Sequence, residues 1–521
     1  MRGLIETILR ASALAAALAL ACAPGPARAD DAPKTAPAAD DGPCGLPPEA
    51  KPQRIKGGEA FPPLPPLPVT PLRRTERKRE PAPPTLIGKV VWGEKRAKPL
   101  EDGRKWEYAD WNLDPSDTQR LLKTANGKLS VRYQAAPVEL AKFSFDPDEV
   151  PILYISGKRA PPPLDAALRA KLRAYIERGG TLWADACSGS PRFAEAMRRE
   201  LAAVFPDRPL ARIGPDHPLY RCSNRIEKVK YSPAAAAERP DGLPDLEGIE
   251  VGCRMAVILA PYGLSCAWDS FHVTEGARTI VGESALDLGV NMVAYTLASF
   301  ELGKFLARRK ALEAADDALR GDFVFAQVKH AGNWDPDPSA FAQLLKATLA
   351  ATSVKVSFGR KDVPLTDPAL SKYPFLYLTG HGPLSLSAEE SAALGRYLRG
   401  GGFLFADACC GGLEFDRSFR AELKRALPEA DLKELSREHP IFATVYKIDA
   451  VDYTPQAKAT FKDLATPYLE GVALGGEVRV VYSRFDLGCG WEGESHPWAR
   501  GVESKDALRV GVNVIMFALT H

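Results

Sequence analysis

Nine cysteines and seven histidines lie among the 521 residues, and several of them occur twice in the same order. Cys187 and Cys266 recur as Cys409 and Cys489, His217 recurs as His439, and Asp185 recurs as Asp407, at a nearly constant offset. A thiol, an imidazole and a carboxylate are the parts of a nucleophile, its base and the group that orients the base. One expectation is therefore a cysteine-dependent amidase or hydrolase. Cys409, in Cys409-Cys410-Gly411, would be the nucleophile, His439 its base, and Glu438 or Asp407 the orienting acid. A tight strand-to-helix turn would aim backbone N–H groups at an oxyanion, and the helix N-terminus would lower the thiol pKa.

The same cysteines permit two other chemistries. Cys187 with Cys266 and Cys409 with Cys489 are natural disulfide partners if the chain is exported, because each pair is present in its own copy of the pattern. Cys222 and Cys253 occur only in the first copy, which points to a private bridge, leaving Cys410 and Cys44 free or joined to each other. A metal-dependent envelope enzyme would instead draw its ligands from Asp407, Cys409, His439 and Cys489. No Cys-x-x-Cys or His-Glu-x-x-His spacing occurs, so no metal is expected. No cofactor is expected either, since phosphate-loop, dinucleotide and Gly-x-Ser-x-Gly motifs do not occur. A further group, His381, Asp407, Asp486, Trp491 and Glu492, falls just past apolar runs and would form a polar pocket with one aromatic wall.

These residues need a scaffold, and the duplication defines it. Asp110-Trp111-Asn112-Leu113-Asp114-Pro115-Ser116 returns as Asn333-Trp334-Asp335-Pro336-Asp337-Pro338-Ser339. Gly179-Gly180-Thr181-Leu182-Trp183-Ala184-Asp185-Ala186-Cys187 returns as Gly401-Gly402-Phe403-Leu404-Phe405-Ala406-Asp407-Ala408-Cys409, and Gly289-Val290-Asn291 returns as Gly511-Val512-Asn513. Within each copy, short continuous apolar runs such as Phe375 to Leu378 read as strands buried on both faces. Amphipathic stretches follow them. Ser387 with Glu390 makes a capping box, Leu394, Tyr397 and Leu398 form one stripe, and Gly400-Gly401-Gly402 stops the helix. Strand, crossover helix, strand implies a parallel sheet covered on both sides, with ligands at the C-terminal strand ends. The expected fold class is α/β: two tandem doubly wound, mostly parallel-sheet domains, at 86–302 and 321–521, joined by a charged segment around Arg308 to Arg320.

The second copy resembles the domain of unknown function 4159 family, on Leu376-Tyr377-Leu378-Thr379-Gly380-His381-Gly382, His439-Pro440-Ile441-Phe442 and Asp486-Leu487-Gly488-Cys489-Gly490-Trp491-Glu492. That family is in turn remotely similar to class I glutamine amidotransferase-like, flavodoxin-type domains. The resemblance implies a fold and no established activity. The first copy departs from it, with Lys158 for His381, Gly263 for Asp486 and Asp269 for Glu492.

The remaining sequence bounds the setting. Arg2 and Arg10, the apolar Ala11 to Ala23 and Ala27-Arg28-Ala29 read as an export signal over 1–29, with Cys22 as a rival lipid-anchor position. Residues 30–85, rich in proline and charge, read as a disordered tether. A periplasmic or extracellular location, possible lipid anchoring at Cys22 and no transmembrane segment in the mature chain follow as expectations. A net charge of +2 with both signs interspersed argues against a nucleic-acid partner. The leading expectation is a non-catalytic extracytoplasmic binding or scaffolding module for an envelope component or small molecule, using the C-terminal edge of the second sheet.

Overall fold

The structure, a computed structural model, describes residues 82–99, 104–269, 276–313, 323–354, 356–493 and 496–521. The expected export signal (1–29), nearly all of the expected tether (30–85), Cys22 and Cys44 lie outside the described residues.

The first repeat begins with β1 (Thr85–Val90), the hairpin β2 (Lys95–Pro99) and β3 (Lys105–Ala109), α1 (Asp117–Leu129) and β4 (Gln134–Val138). It continues through β5 (Ile152–Gly157), α2 (Ala166–Glu177), β6 (Thr181–Ala186), α3 (Pro191–Val204), β7 (Ala211–Arg212) and α4 (Pro233–Glu238). A hairpin of β8 (Glu247–Val251) and β9 (Arg254–Ala260) follows, then the short α5 (Ser265–Trp268) and the long α6 (Glu283–Glu313). The second repeat runs β10 (Phe323–Lys329), α7 (Ala340–Ala351), β11 (Val356–Pro364), β12 (Phe375–Gly380), α8 (Ala388–Arg399), β13 (Phe403–Ala408) and α9 (Leu413–Ala426). It closes with β14 (Lys433–Glu434), α10 (Pro455–Thr460), the hairpin β15 (Glu470–Leu474) and β16 (Glu477–Ser483), α11 (Gly488–Glu492) and α12 (Ser504–Thr520).

Each repeat forms one seven-stranded sheet with the same order, β4-β1-β5-β6-β9-β8-β7 and β11-β10-β12-β13-β16-β15-β14. Five strands of each sheet are parallel, and the last two pair antiparallel. The parallel part has the flavodoxin-like order, which reverses at β1/β5 and at β10/β12. Alternate residues of one strand enter opposite cores: Phe375 and Tyr377 join one, Leu376 and Leu378 the other. That is why these strands read as unbroken apolar runs.

The local signals appear where expected. Ser387 and Glu390 make the capping box, Leu394, Tyr397 and Leu398 are buried, and Gly401 takes a positive φ of 95° after the helix. Phe415, Phe419 and Leu423 are the buried face of α9. One difference concerns the joint between the repeats. Helix α6 runs to Glu313, so the first part of the expected charged connection is helical.

Candidate functional site

Two matched turns leave the C-terminal ends of β6 and β13. Each is a single turn of tight helix, Cys187–Gly189 and Cys409–Gly411, leading into α3 or α9. The middle residue is left-handed in both, Ser188 at φ 54° and Cys410 at φ 53°. A non-glycine residue in that region is strained, and such strain gathers at functional sites. Gly411 follows at φ 61°, and a Cβ there would lie 2.4 Å from the Arg500 carbonyl oxygen. The turn thus buries Cys409 and presents Cys410 at the surface of a cleft.

Around Cys410 the chain assembles an unexpected group of thiols. Cys253, at the tip of the β8–β9 hairpin of the first repeat, has its Sγ 3.1 Å from that of Cys409 and 3.7 Å from that of Cys489. Cys409 lies 3.9 Å from both Cys410 and Cys489, and Cys410 lies 3.6 Å from Cys489. His496 Nδ1 is 3.8 Å from the Cys410 sulfur. Asp337 Oδ1 is 2.9 Å from the Cys253 sulfur and 3.3 Å from that of Cys489. Hydrogen bonds from Cys253, Cys409 and Cys489 pull the Cys410 thiol well below its ordinary range, against the effect of burial. Burial pushes Cys409 and Cys489 well up and Cys253 to about 12. Burial also lifts the Asp337 carboxyl to about 7, with Glu492 adding to the rise. Cys253, Cys410, Cys489 and His496 form one set of close donor atoms, and Cys253, Asp337, Cys409 and Cys489 another. Thiolate and imidazole sets of this kind suit zinc.

Among the described residues the first repeat holds a smaller group. Asp114, Cys187 and Cys266 converge, with the two sulfurs 3.9 Å apart and Asp114 Oδ2 3.2 Å from Cys187. Ser188 stands at the Cys410 position.

Other expected residues take structural roles. Asp407 is buried and accepts from Tyr377 Oη (2.6 Å), Leu487 N (2.9 Å) and Gly488 N (3.0 Å), tying the start of α11 to β13. Asp486 accepts from Cys410 N at 2.5 Å and Cys489 N at 2.9 Å and so holds the thiol-bearing turns together. In the first repeat Gly263 occupies that place, and a Cβ there would sit 2.7 Å from Ser188 N. Trp491 is a core residue packed on Tyr377 and Phe405, with its Nε1 donating to Ala507 O at 2.9 Å. It is therefore not a pocket wall. Glu492 accepts from the Ser339 backbone and hydroxyl at the start of α7, as Asp269 accepts from Ser116 N before α1. Of the expected pocket set only His381 lines the cleft.

The expected catalytic pair does not form. His439 caps the turn Pro440–Phe442, accepting from Ile441 N, and its ring packs on Phe517 of α12. Glu438 is exposed. The imidazoles beside the thiols are instead His496 and His381, neither of which follows the repeat. The structure brings both expected pairs together, Cys187 with Cys266 and Cys409 with Cys489, each with its sulfurs 3.9 Å apart and unbonded. Cys222 bonds to Asn291 O at 3.3 Å while Cys253 joins the thiol group, so the private bridge is not made.

The cleft itself measures about 670 Å³ and is walled by both repeats, including His217, Arg221, Glu250 and Cys253 from the first and Lys329, His381, Cys410, His496, Trp498 and Arg500 from the second. It opens beside the ends of β10 and β12, the reversal point where open α/β sheets bind ligands. Glu250 of β8 spans the gap, its Oε1 2.6 Å from His381 Nδ1 and its Oε2 accepting from Asn333 Nδ2 at 3.0 Å. Burial opposes both charges. Burial is the largest single effect on each, but the pair's attraction and hydrogen bond, joined by His217 and Asn333 at Glu250 and by Cys410 at His381, together leave the Glu250 carboxyl lowered and the His381 imidazole raised. Arg500, only 8% exposed, makes no ion pair among the described residues. Its counterpart Arg278 is held by Glu238 of α4 at 2.5 and 2.7 Å, but the matching position at the end of α10 is Thr460. Arg221 and Lys329 of the same cleft also lack ion pairs among the described residues.

Fold and site together define a class: two flavodoxin-like α/β units in series, the hairpin of the first closing the site of the second. The family model Domain of unknown function (DUF4159) matches residues 102–297 and again 324–519, and the chain belongs to that family, as two tandem copies. No curated protein matches the chain.

Proposed function

We propose that the chain is an exported, non-catalytic binding or scaffolding module, and that its ligand is an anionic small molecule or envelope component held in the cleft between the repeats. The observation that carries this reading is Arg500, a nearly buried guanidinium on the cleft wall that has lost the glutamate its counterpart keeps. Among the described residues no carboxylate pairs with this guanidinium; a buried charge is costly when none does, and a ligand carboxylate or phosphate would relieve that cost. Arg221 and Lys329 add positive charge around the same opening, and Trp498 supplies an apolar surface. The test is thermal unfolding of the purified chain against a panel of dicarboxylates and sugar phosphates. At least one anion should raise the melting temperature of the wild type and leave Arg500→Met unmoved. A panel that shifts neither protein, or both equally, removes the cleft as the anion site.

The hydrolase alternative would now run through Cys410, with His381 as base and Glu250 as orienting acid, because the left-handed turn presents that thiol to the cleft. Rapid alkylation of Cys410 in the native protein, ahead of every other cysteine, would favour it over the binding reading.

A further inference from the structure

Four cysteine sulfurs that crowd together without bonding need a reason. Thiol groups gain little from one another, and four of them exclude better packing. A single zinc ion supplies the reason. With Zn–S bonds of about 2.3 Å, a tetrahedron places its sulfurs about 3.8 Å apart. The five measured edges among Cys253, Cys409, Cys410 and Cys489 run from 3.1 to 3.9 Å. The sixth, Cys253 to Cys410, is within 4.8 Å. A cysteine pair or triad could arise from packing alone, whereas a closed four-cornered figure with these edges has one natural centre.

We propose that Cys253, Cys409, Cys410 and Cys489 bind one zinc ion per chain, in a tetrathiolate site that pins the β8–β9 hairpin of the first repeat onto the second. His496 against Cys410 and Asp337 against Cys253 and Cys489 are the surrounding polar groups that orient the sulfurs. Binding exchanges thiol protons for the ion, so protons are released and no electron moves. Among the described residues the four-sulfur figure occurs once: the first repeat has Ser188 in place of Cys410, and its described convergent donors are Asp114, Cys187 and Cys266. The second repeat's own hairpin tip is Gly475-Gly476, and nothing approaches within 4 Å of a Cβ built on either glycine. The thiol is thus found on the one hairpin that has a site to close.

The test is metal analysis and zinc X-ray absorption of the intact full-length chain, purified without added metal or chelator. The expected result is one zinc per chain with a first shell of four sulfurs near 2.3 Å. Cys253→Ser should lose at least 90% of its zinc, with Cys222→Ser, a thiol outside the group, keeping all of it. His496→Gln should keep its zinc at four sulfurs. Three outcomes would each overturn the proposal: a zinc-free native protein, a shell with fewer than four sulfurs, or peptide mapping that finds disulfides among these cysteines. Inorganic sulfide with iron in place of zinc would overturn it as well. The wild-type measurements decide the matter even if Cys253→Ser does not fold.

Discussion

Asp185 and Asp407 show what a residue can mean when it recurs. Both looked like candidate catalytic or ligand carboxylates, and both are buried acceptors that fasten the start of a short helix to the adjoining strand: Asp185 takes Leu264 N at 2.8 Å and Ser265 N at 3.1 Å. Burial raises the Asp185 carboxyl to about 6, with the hydrogen bonds from Ser265 and Leu264 working against it. A carboxyl raised on folding stabilises fully below its unfolded pKa and loses that contribution as pH climbs through the folded value. Asp185 should therefore cost the native state up to about 3 kcal/mol between pH 4 and pH 7. Denaturant unfolding of the wild type and of Asp185→Asn, which does not titrate, should show the wild type falling relative to the variant as pH rises over that interval. A flat difference would put Asp185 in contact with water. Arg500 carries the opposite lesson. It has no ion pair among the described residues, and only comparison with Arg278 and Glu238 makes the difference visible.

At the scale of elements, the decisive pieces are two turns and one hairpin. The turn after β13 needs Gly411 because its backbone is left-handed and presses on Arg500. Gly411→Ala should destabilise the fold by about 1–3 kcal/mol in a thermal or denaturant melt, the size of a strained left-handed residue. The matching Gly189, at φ 68° and with a Cβ that would lie 2.1 Å from Arg278 O, should cost as much when changed to alanine. Only Gly411→Ala should also weaken the anion-dependent shift, because only it displaces Arg500. Equal loss from both variants would mean that the turns serve stability alone. Much of this level was legible beforehand: the capping box at Ser387, the stripe on α8 and the strand-turn-helix order around Cys409 all rest on short-range chemistry. His217 and His439 each precede a proline and cap the turn it begins, one of the two roles such a recurrent pair allows, and recurrence alone does not separate a repeated cap from a repeated base.

At the scale of the whole molecule, the two repeats are unequal partners. The first contributes Cys253 to a thiol group whose other sulfurs belong to the second, and Glu250 of the same hairpin to a cleft that both repeats wall. If zinc holds that hairpin, removing it should free the hairpin before anything else. Hydrogen exchange after chelation should rise in peptides covering Glu247–Ala260 and stay unchanged in the matching Glu470–Ser483 of the second repeat. Equal change in both, or in neither, would separate the hairpin from the metal. No helix among the described residues is long and apolar enough to cross a membrane.

The amino-acid sequence alone determined the duplication, the α/β class, the strand-to-helix turns and the placing of chemistry at their ends, because periodicity, capping and internal likeness are encoded over a few residues at a time. Only the tertiary structure decided which cysteines meet. Cys253 has no counterpart in the other copy, and His496 and Glu250 follow no motif. They converge because one repeat docks on the next, and contacts between residues far apart in the chain leave no spacing for a reader to find.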